Sequence, residues 1–168
     1  VVADAFGIPV YQKEGFEADD VIGTIVKTVA KKKNIETVVI TGDQDVLQLV
    51  GPRVKVYSMK KGITETVLYD EEGVRQRYGF APAQIIDFKA LKGDPSDNIA
   101  GVKGIGEKTA TDLIVKFGSL EGIYEALKSK KEAAGISRAV RERLEEGKED
   151  AMMSRELATI HTGVPLSF

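Results

Sequence analysis

Cysteine is absent from the 168 residues and histidine occurs once. The first absence rules out disulfides and thiolate zinc sites and fits a reducing compartment. The second leaves any metal site to oxygen donors. No apolar run approaches the ~20 residues that span a bilayer. No basic-then-apolar signal opens the chain, so a cytoplasmic location is expected. A large net charge is missing too: Lys plus Arg number 24 against 26 Asp plus Glu, a balance of −2. That argues against a protein that coats nucleic acid by charge alone, although a local basic face can coexist with an acidic cluster. Repeats and low-complexity linkers are not found. What remains, 42% hydrophobic and 30% charged, is the profile of a globular chain with room for a substantial core.

The first seven residues, Val-Val-Ala-Asp-Ala-Phe-Gly, read as the end of a helix running into a glycine stop. With no initiator methionine, the chain is expected to be part of a longer protein. Ile8-Pro9-Val10-Tyr11 is a short strand candidate. Val21, Ile22, Ile25, Val26 and Val29 repeat at helical spacing, with Glu17, Asp19 and Asp20 at the N-terminal end and Lys31-Lys32-Lys33 at the other. Thr37-Val38-Val39-Ile40-Thr41 is a continuous apolar run, the mark of a buried parallel strand. Residues 53–59 and 63–69 resemble a hairpin with Lys60-Lys61-Gly62 at the turn. From residue 70 the pattern turns helical: 70–78, 83–91, a stripe of Ala110, Leu113, Ile114 and Phe117, then a helix capped by Ser119, and one or two more over 137–160. The fold class is α/β: a mostly parallel, Rossmann-like sheet flanked by helices (residues 1–69), then a helical part (residues 70–168).

Three acidic clusters stand out: Glu17, Asp19 and Asp20; Asp43 and Asp45; Asp94 and Asp97. Taken singly, each has a plain reading. The first complements a helix dipole, the second is an N-cap beside a solvated turn, and the third is a good turn sequence. Jointly they point to an all-oxygen site for Mg²⁺ or Mn²⁺. Hydrolysis of a phosphodiester by two such ions needs carboxylates from several segments.

Beside the third cluster lies Ile99-Ala100-Gly101-Val102-Lys103-Gly104-Ile105-Gly106, followed by helical spacing. Glycines just before a helix N-terminus let backbone N–H groups approach an anion. The plain alternative is a tight join between two helices. The spacing matches a helix-hairpin-helix over residues 99–117, with Val102 and Ile105 anchoring the turn. Gly101, Gly104, Gly106 and Thr109 would face DNA phosphates with Lys103 and Lys108, a contact that carries no sequence information. His161 reads as a plain helix-end residue, and Tyr57, Tyr69 and Tyr78 as packing.

Gly-Phe-Glu-Ala-Asp-Asp, Thr-Gly-Asp-Gln-Asp-x-x-Gln-Leu and Gly-Asp-x-Ser-Asp-Asn-Ile-x-Gly-Val-x-Gly-Ile-Gly-x-Lys-Thr-Ala together closely resemble the bacterial 5′-nuclease domain of DNA polymerase I, in the flap endonuclease superfamily. The likeness runs through nearly the whole chain. It implies cleavage of 5′ flaps and nicked duplex ends with two divalent metals, by a monomer that a polymerase domain could follow. It carries catalytic metal ligands onto Glu17, Asp19, Asp43, Asp45 and Asp97, with Asp20 and Asp94 as further acids of the bacterial branch. A K⁺ ion held by backbone carbonyls would fall around Val102 and Ile105. In the family an earlier strand and the segments after it supply two more Asp ligands, basic catalytic residues and a helical arch. None has a counterpart here, so one metal site is expected to be incomplete in this chain alone. Two other readings stay open. One is a duplex-binding module without catalysis. The other is an RNA-cleaving nuclease of the wider PIN-like group, against which the helix-hairpin-helix spacing argues.

Overall fold

A computed structural model describes residues 2–32, 34–61, 65–129 and 131–168. Helix α1 is the short Val2–Ala5, and residues 8–13 are extended without a sheet partner. The strand expected at residues 8–11 does not form: Pro9 has no N–H to give a ladder, and the segment is exposed throughout. Helix α2, Ala18–Val29, has Glu17 as its N-cap residue, with the Asp20 carboxylate accepting the Glu17 N–H at 3.3 Å. At the other end Arg53 donates to the carbonyls of Ala30 and Lys32, satisfying groups that the helix leaves open. Of the expected lysine terminus, Lys31 and Lys32 lie past the helix and Lys33 lies outside the described residues.

Strand β1, Thr37–Thr41, pairs in parallel with β2, Val54–Lys61, through the crossover at residues 42–53. β2 then pairs antiparallel with β3, Glu65–Tyr69. The sheet is therefore mixed, in the order β1-β2-β3, not mostly parallel. A direct β2–β3 connection is too short for a parallel crossover and permits only a hairpin. Of the expected turn, Lys60 and Lys61 belong to β2 itself, and Gly62 lies outside the described residues. β1 is also less buried than its apolar run implies. Val39 packs inward, while Val38 and Ile40 are 49% and 66% exposed. Ile40, Tyr57 and Leu68 stand in register across all three strands, all three exposed.

Helix α3, Glu71–Tyr78, is capped by Asp70, which accepts from Gly73 N, and is stopped by Gly79 in the left-handed region. A 3₁₀ turn at Pro82–Gln84 leads into α4, Ile85–Lys92. α5 spans Glu107–Phe117 and α6 spans Leu120–Lys128, with Ser119 capping α6 through Gly122 N. α7, Arg138–Glu146, and α8, Lys148–Ala158, meet at Gly147. No helix among the described residues is long and apolar enough to cross a membrane.

α4 is the axis of the molecule. Ile85, Asp87, Phe88, Lys89, Ala90 and Leu91 are all buried, and Ile86 and Lys92 are only partly exposed. A helix buried to this extent sits between layers: α4 packs on α5, on α8 and on the 3₁₀ turn Asp45–Leu49. One apolar cluster runs from Val39 and Val56 in the sheet through Phe88 to Ile114, Ile123 and Leu144. The buried Asp87 ties three helices together. It accepts the Leu120 N–H at 3.1 Å and pairs with Arg155 Nε at 2.9 Å. Burial raises its carboxyl above the ordinary range, partly offset by those two partners.

The segment after α4 is closed by its own backbone. Asp94 and Ile99 exchange both N–H···O bonds at 2.8 Å, which makes a ring of residues 94–99. Inside it are a 3₁₀ turn, Pro95–Asp97, and Asn98 at φ +56°. Asn is the residue besides Gly that enters this region with least cost. Gly93 and Gly101 then cross at backbone contact. A Cβ on Gly101, where φ is +63°, would lie 2.3 Å from Gly93 N. Gly101→Ala is therefore expected to destabilise the chain by more than about 2 kcal/mol in urea unfolding, whereas Gly106→Ala, at φ −94° with open space, should stay within about 0.5 kcal/mol.

Candidate metal centre and nucleic-acid interface

Each acidic cluster is placed by a different element. Thr41, at the end of β1, accepts the Asp43 N–H on its hydroxyl at 3.0 Å, and Asp43 Oδ1 accepts the Asp45 N–H at 2.9 Å. Between them Gln44 is pinned from both sides, donating to Ser58 Oγ at 2.6 Å and accepting from Arg77. The turn holding Asp43 and Asp45 is thus fixed by β2 and α3. The 94–99 ring presents Asp97, and the first turn of α2 presents Glu17, Asp19 and Asp20. Glu17, Asp19, Asp20, Asp43, Asp45 and Asp97 line a single cavity of about 240 Å³, closed on its far side by residues 157–160. Those residues are stitched in place by Gln48, which donates to Ala158 O and accepts from Ile160 N, both at 3.0 Å.

Asp94 does not line the cavity; it stands behind it. Its Oδ1 accepts from Ser96 N at 3.0 Å, and its Oδ2 meets Lys89 Nζ at 2.8 Å. Lys89 is the residue that sequence reasoning missed. From the last turn of α4 its ammonium reaches Asp45, Asp94 and, at 3.4 Å, Asp97 Oδ2. Carboxylate oxygens of these three acids lie within 4.8 Å of one another. In sequence Lys89 resembles an ordinary basic helix end. The available signal was its setting: Ile85, Phe88, Ala90 and Leu91 surround the helix with apolar side chains and leave that lysine no water-facing surface.

The charges tune one another. Burial opposes the Lys89 charge, but hydrogen bonds to Asp45 and Asp94 outweigh it and hold the ammonium well above its ordinary range. Burial also acts on Asp94, yet the bonds from Lys89 and Ser96 prevail and keep its carboxyl down at about 2. Asp45 goes the other way. Its burial, reinforced by Asp97 and Asp43, exceeds the pull of Lys89 and pushes it up to about 6. Asp19 is raised by burial first and then by Asp43, Glu17, Asp20 and Asp97. A site in which carboxyls resist losing their protons, through burial first and neighbouring acids second, is short of positive charge. Hard divalent cations supply that charge through oxygen ligands, so the donor set fits such an ion.

Asp20 and His161 have further duties. Asp20 accepts the His161 N–H at 2.8 Å as well as that of Glu17, and the His161 ring stacks on Phe16 at 5.7 Å. His161 is thus joined to the rim of the acidic cavity and does not end a helix. Tyr69 and Tyr78 pack as expected, Tyr78 in an aromatic group with Phe80 and Phe88. Tyr57 bonds Thr66 across the hairpin.

Next to the ring lies the glycine turn. Val102 and Ile105 are buried as anchors; Lys103, Gly104, Gly106 and Lys108 are exposed, and Thr109 is half-buried. Gly101 differs from expectation. It is buried, and its N–H donates to Ser154 Oγ at 2.9 Å, so its amide is engaged inside the protein. The turn runs into α5 at Gly106, the N-cap.

Two family models divide the chain between them. Residues 1–79 match the N-terminal resolvase-like domain of 5′-3′ exonucleases, and residues 80–168 match the 5′-3′ exonuclease C-terminal SAM fold. The chain belongs to the 5′-3′ exonuclease family. Among the chain's relatives, DNA polymerase I of Bacillus subtilis is 46% identical over 97% of the chain, and that of Caldicellulosiruptor bescii 47% over 97%. The chain spans 18% and 19% of their lengths, about a fifth. A solved T5 5′-exonuclease with bound divalent metal ions (zinc) superposes with a TM-score of 0.79 at 26% identity, covering 95% of this chain and 55% of that one. A bacteriophage T5 flap endonuclease complex with DNA and metal ions matches at 0.78 and 25%, covering 96% and 56%. The α/β part with its small mixed sheet, followed by helices, is the fold these structures share with this chain.

Lys89→Met removes the one ammonium bonded to three carboxylates. It should cost about 3 kcal/mol in EDTA by urea unfolding, part of it recovered by Mg²⁺ or Mn²⁺. The folded value of Asp45, about 6, lies above the ordinary 3.8, so ionisation above pH 6 costs stability and protonation restores it as pH falls between those values. Divalent ions need the ionised form. Their affinity by titration calorimetry should therefore drop up to about tenfold per pH unit below about 6, and Asp45→Asn should weaken that dependence, leaving the part due to Asp19.

Proposed function

We propose that this chain is part of a divalent-metal-dependent, structure-selective 5′-nuclease that acts on DNA: a 5′-3′ exonuclease and flap endonuclease within a DNA polymerase I, working in replication and repair in the cytoplasm. One observation carries the reading. Six carboxylates from three separate chain segments converge on one cavity, and the closed ring that holds Asp97 continues directly into an exposed glycine turn at a helix N-terminus. The cavity supplies hydrolysis and the turn supplies grip.

Glu17, Asp19, Asp43, Asp45 and Asp97 would hold the catalytic ions, with Asp20 beside them in the cavity and Asp94 outside its lining. All seven offer oxygen, which suits Mg²⁺ or Mn²⁺. Such ions, when bound, make hydroxide available near neutral pH and stabilise the leaving oxygen. The chain's own residues do the rest. Gln44 and the 94–99 ring keep the acids in register, and Lys89 prevents their mutual repulsion from opening the site. Residues 99–117 act as a helix-hairpin-helix. Lys103 and Lys108 meet duplex phosphates together with the amides of Gly104 and Gly106 and the side chain of Thr109. The carbonyls of Val102 and Ile105 would hold a K⁺ ion. The substrate is duplex DNA with a 5′ flap or nick, bound by a monomer, with the scissile bond set by the distance from turn to cavity. Residues 1–69 supply five of the cavity's acids, and residues 70–168 supply Asp97, Lys89 and the turn.

A second reading, a duplex-binding module without catalysis, draws on Lys89, which already neutralises carboxylates that a cation would otherwise meet. Cleavage of a labelled 5′-flap duplex separates the two. In a polymerase I carrying this segment, Mg²⁺ or Mn²⁺ should support cleavage, and Asp43→Ala should reduce it by about a hundredfold or more with duplex binding retained. Cleavage that survives the substitution, or that needs no divalent ion, would remove the metal role proposed for Asp43.

A further inference from the structure

The glycine turn is held from outside its own motif. Ser154, buried in α8, accepts the Gly101 N–H at 2.9 Å. From the last turn of α7, Arg143 Nη1 donates to the Gly104 carbonyl at 2.8 Å. Gly104 has φ +83°, and a Cβ there would lie 3.0 to 3.2 Å from Arg143 Nε, Cζ and Cδ, so the guanidinium end lies close against the turn. The α7–α8 corner can approach this closely because it is a glycine: a Cβ on Gly147 would sit 2.8 Å from Val102 Cγ1.

The decisive detail is which peptide group Arg143 holds. The Gly104 carbonyl and the Ile105 N–H belong to one peptide plane. The Ile105 N–H already donates to Val102 O at 3.0 Å, and Arg143 takes the opposite end. With both polar ends fixed, that plane cannot rotate. The next amide in the chain is that of Gly106, the N-cap of α5. Arg143 also lines a groove of about 460 Å³ together with Lys103, Glu146 and Asp150.

We propose that Arg143 is a positioning residue for duplex binding: its guanidinium clamps the Gly104–Ile105 peptide plane so that the turn is set before DNA arrives. This rests on the turn being the duplex-binding element. Pre-organisation strengthens binding by removing an ordering cost, without adding a contact to the ligand.

Salt dependence tests it. Each phosphate neutralised by a side chain adds about 0.9 to the slope of log affinity against log salt. Affinity for a fluorescent 5′-flap duplex is measured by anisotropy across a NaCl series, alongside thermal melting. Arg143→Gln should weaken binding about tenfold at every salt concentration with the slope unchanged and the melting temperature retained, the loss of one charge-assisted hydrogen bond. Arg143→Lys, which keeps a donor, should recover part of it. Lys103→Gln should flatten the slope. Tight binding by Arg143→Gln overturns the clamp. A slope reduced by about 0.9 overturns it as well, by making Arg143 a phosphate ligand. An unaltered chain that fails to bind the duplex removes the duplex-binding reading and the clamp with it.

Discussion

Crowded negative charge is the constraint around which this molecule is built. Seven carboxylates stand in or behind one cavity, and three of them share a lysine that reaches them from a largely buried helix. A buried ammonium without partners would lose its proton, and buried carboxylates without one would drive the segments apart. Each condition makes the other tolerable. The rest of the architecture can be read as what it takes to keep that arrangement. α4 is enclosed so that Lys89 stays dry, Gln44 fixes the turn that carries Asp43 and Asp45, and the tail is laced to α2 through Asp20 and Thr24.

Much of this was legible in the residues. The three acidic clusters each fell at the end of an element, and all three meet. Gly118 with Ser119, Asp70 with Gly79, and the stripe from Ala110 to Phe117 set helix limits through local chemistry that survives in the fold. These features are legible because caps and stripes act within one or two turns of the residue that specifies them.

What was not legible depends on partners distant in sequence. Lys89 looks solvated until the packing around α4 is known. Gly101 carries the motif's spacing, yet its amide belongs to Ser154, which lies 53 positions away. Val38 and Ile40 fit a buried run, but whether a strand is covered on one face or two is decided by which layers pack against it. The mixed sheet follows from a connection length, not from any strand's composition.

The crossing of Gly93 and Gly101 has a consequence for how this protein can vary. Those two backbones meet where not even a methyl group fits, and the chain between them is closed on itself by the Asp94–Ile99 bonds. A loop of that kind has no slack. Surface loops elsewhere tolerate added or deleted residues at small entropic cost, but one residue more or fewer here would either part the crossing or turn Asp97 away from its neighbours. Substitution remains open to Ser96 and Ala100; a change in length does not.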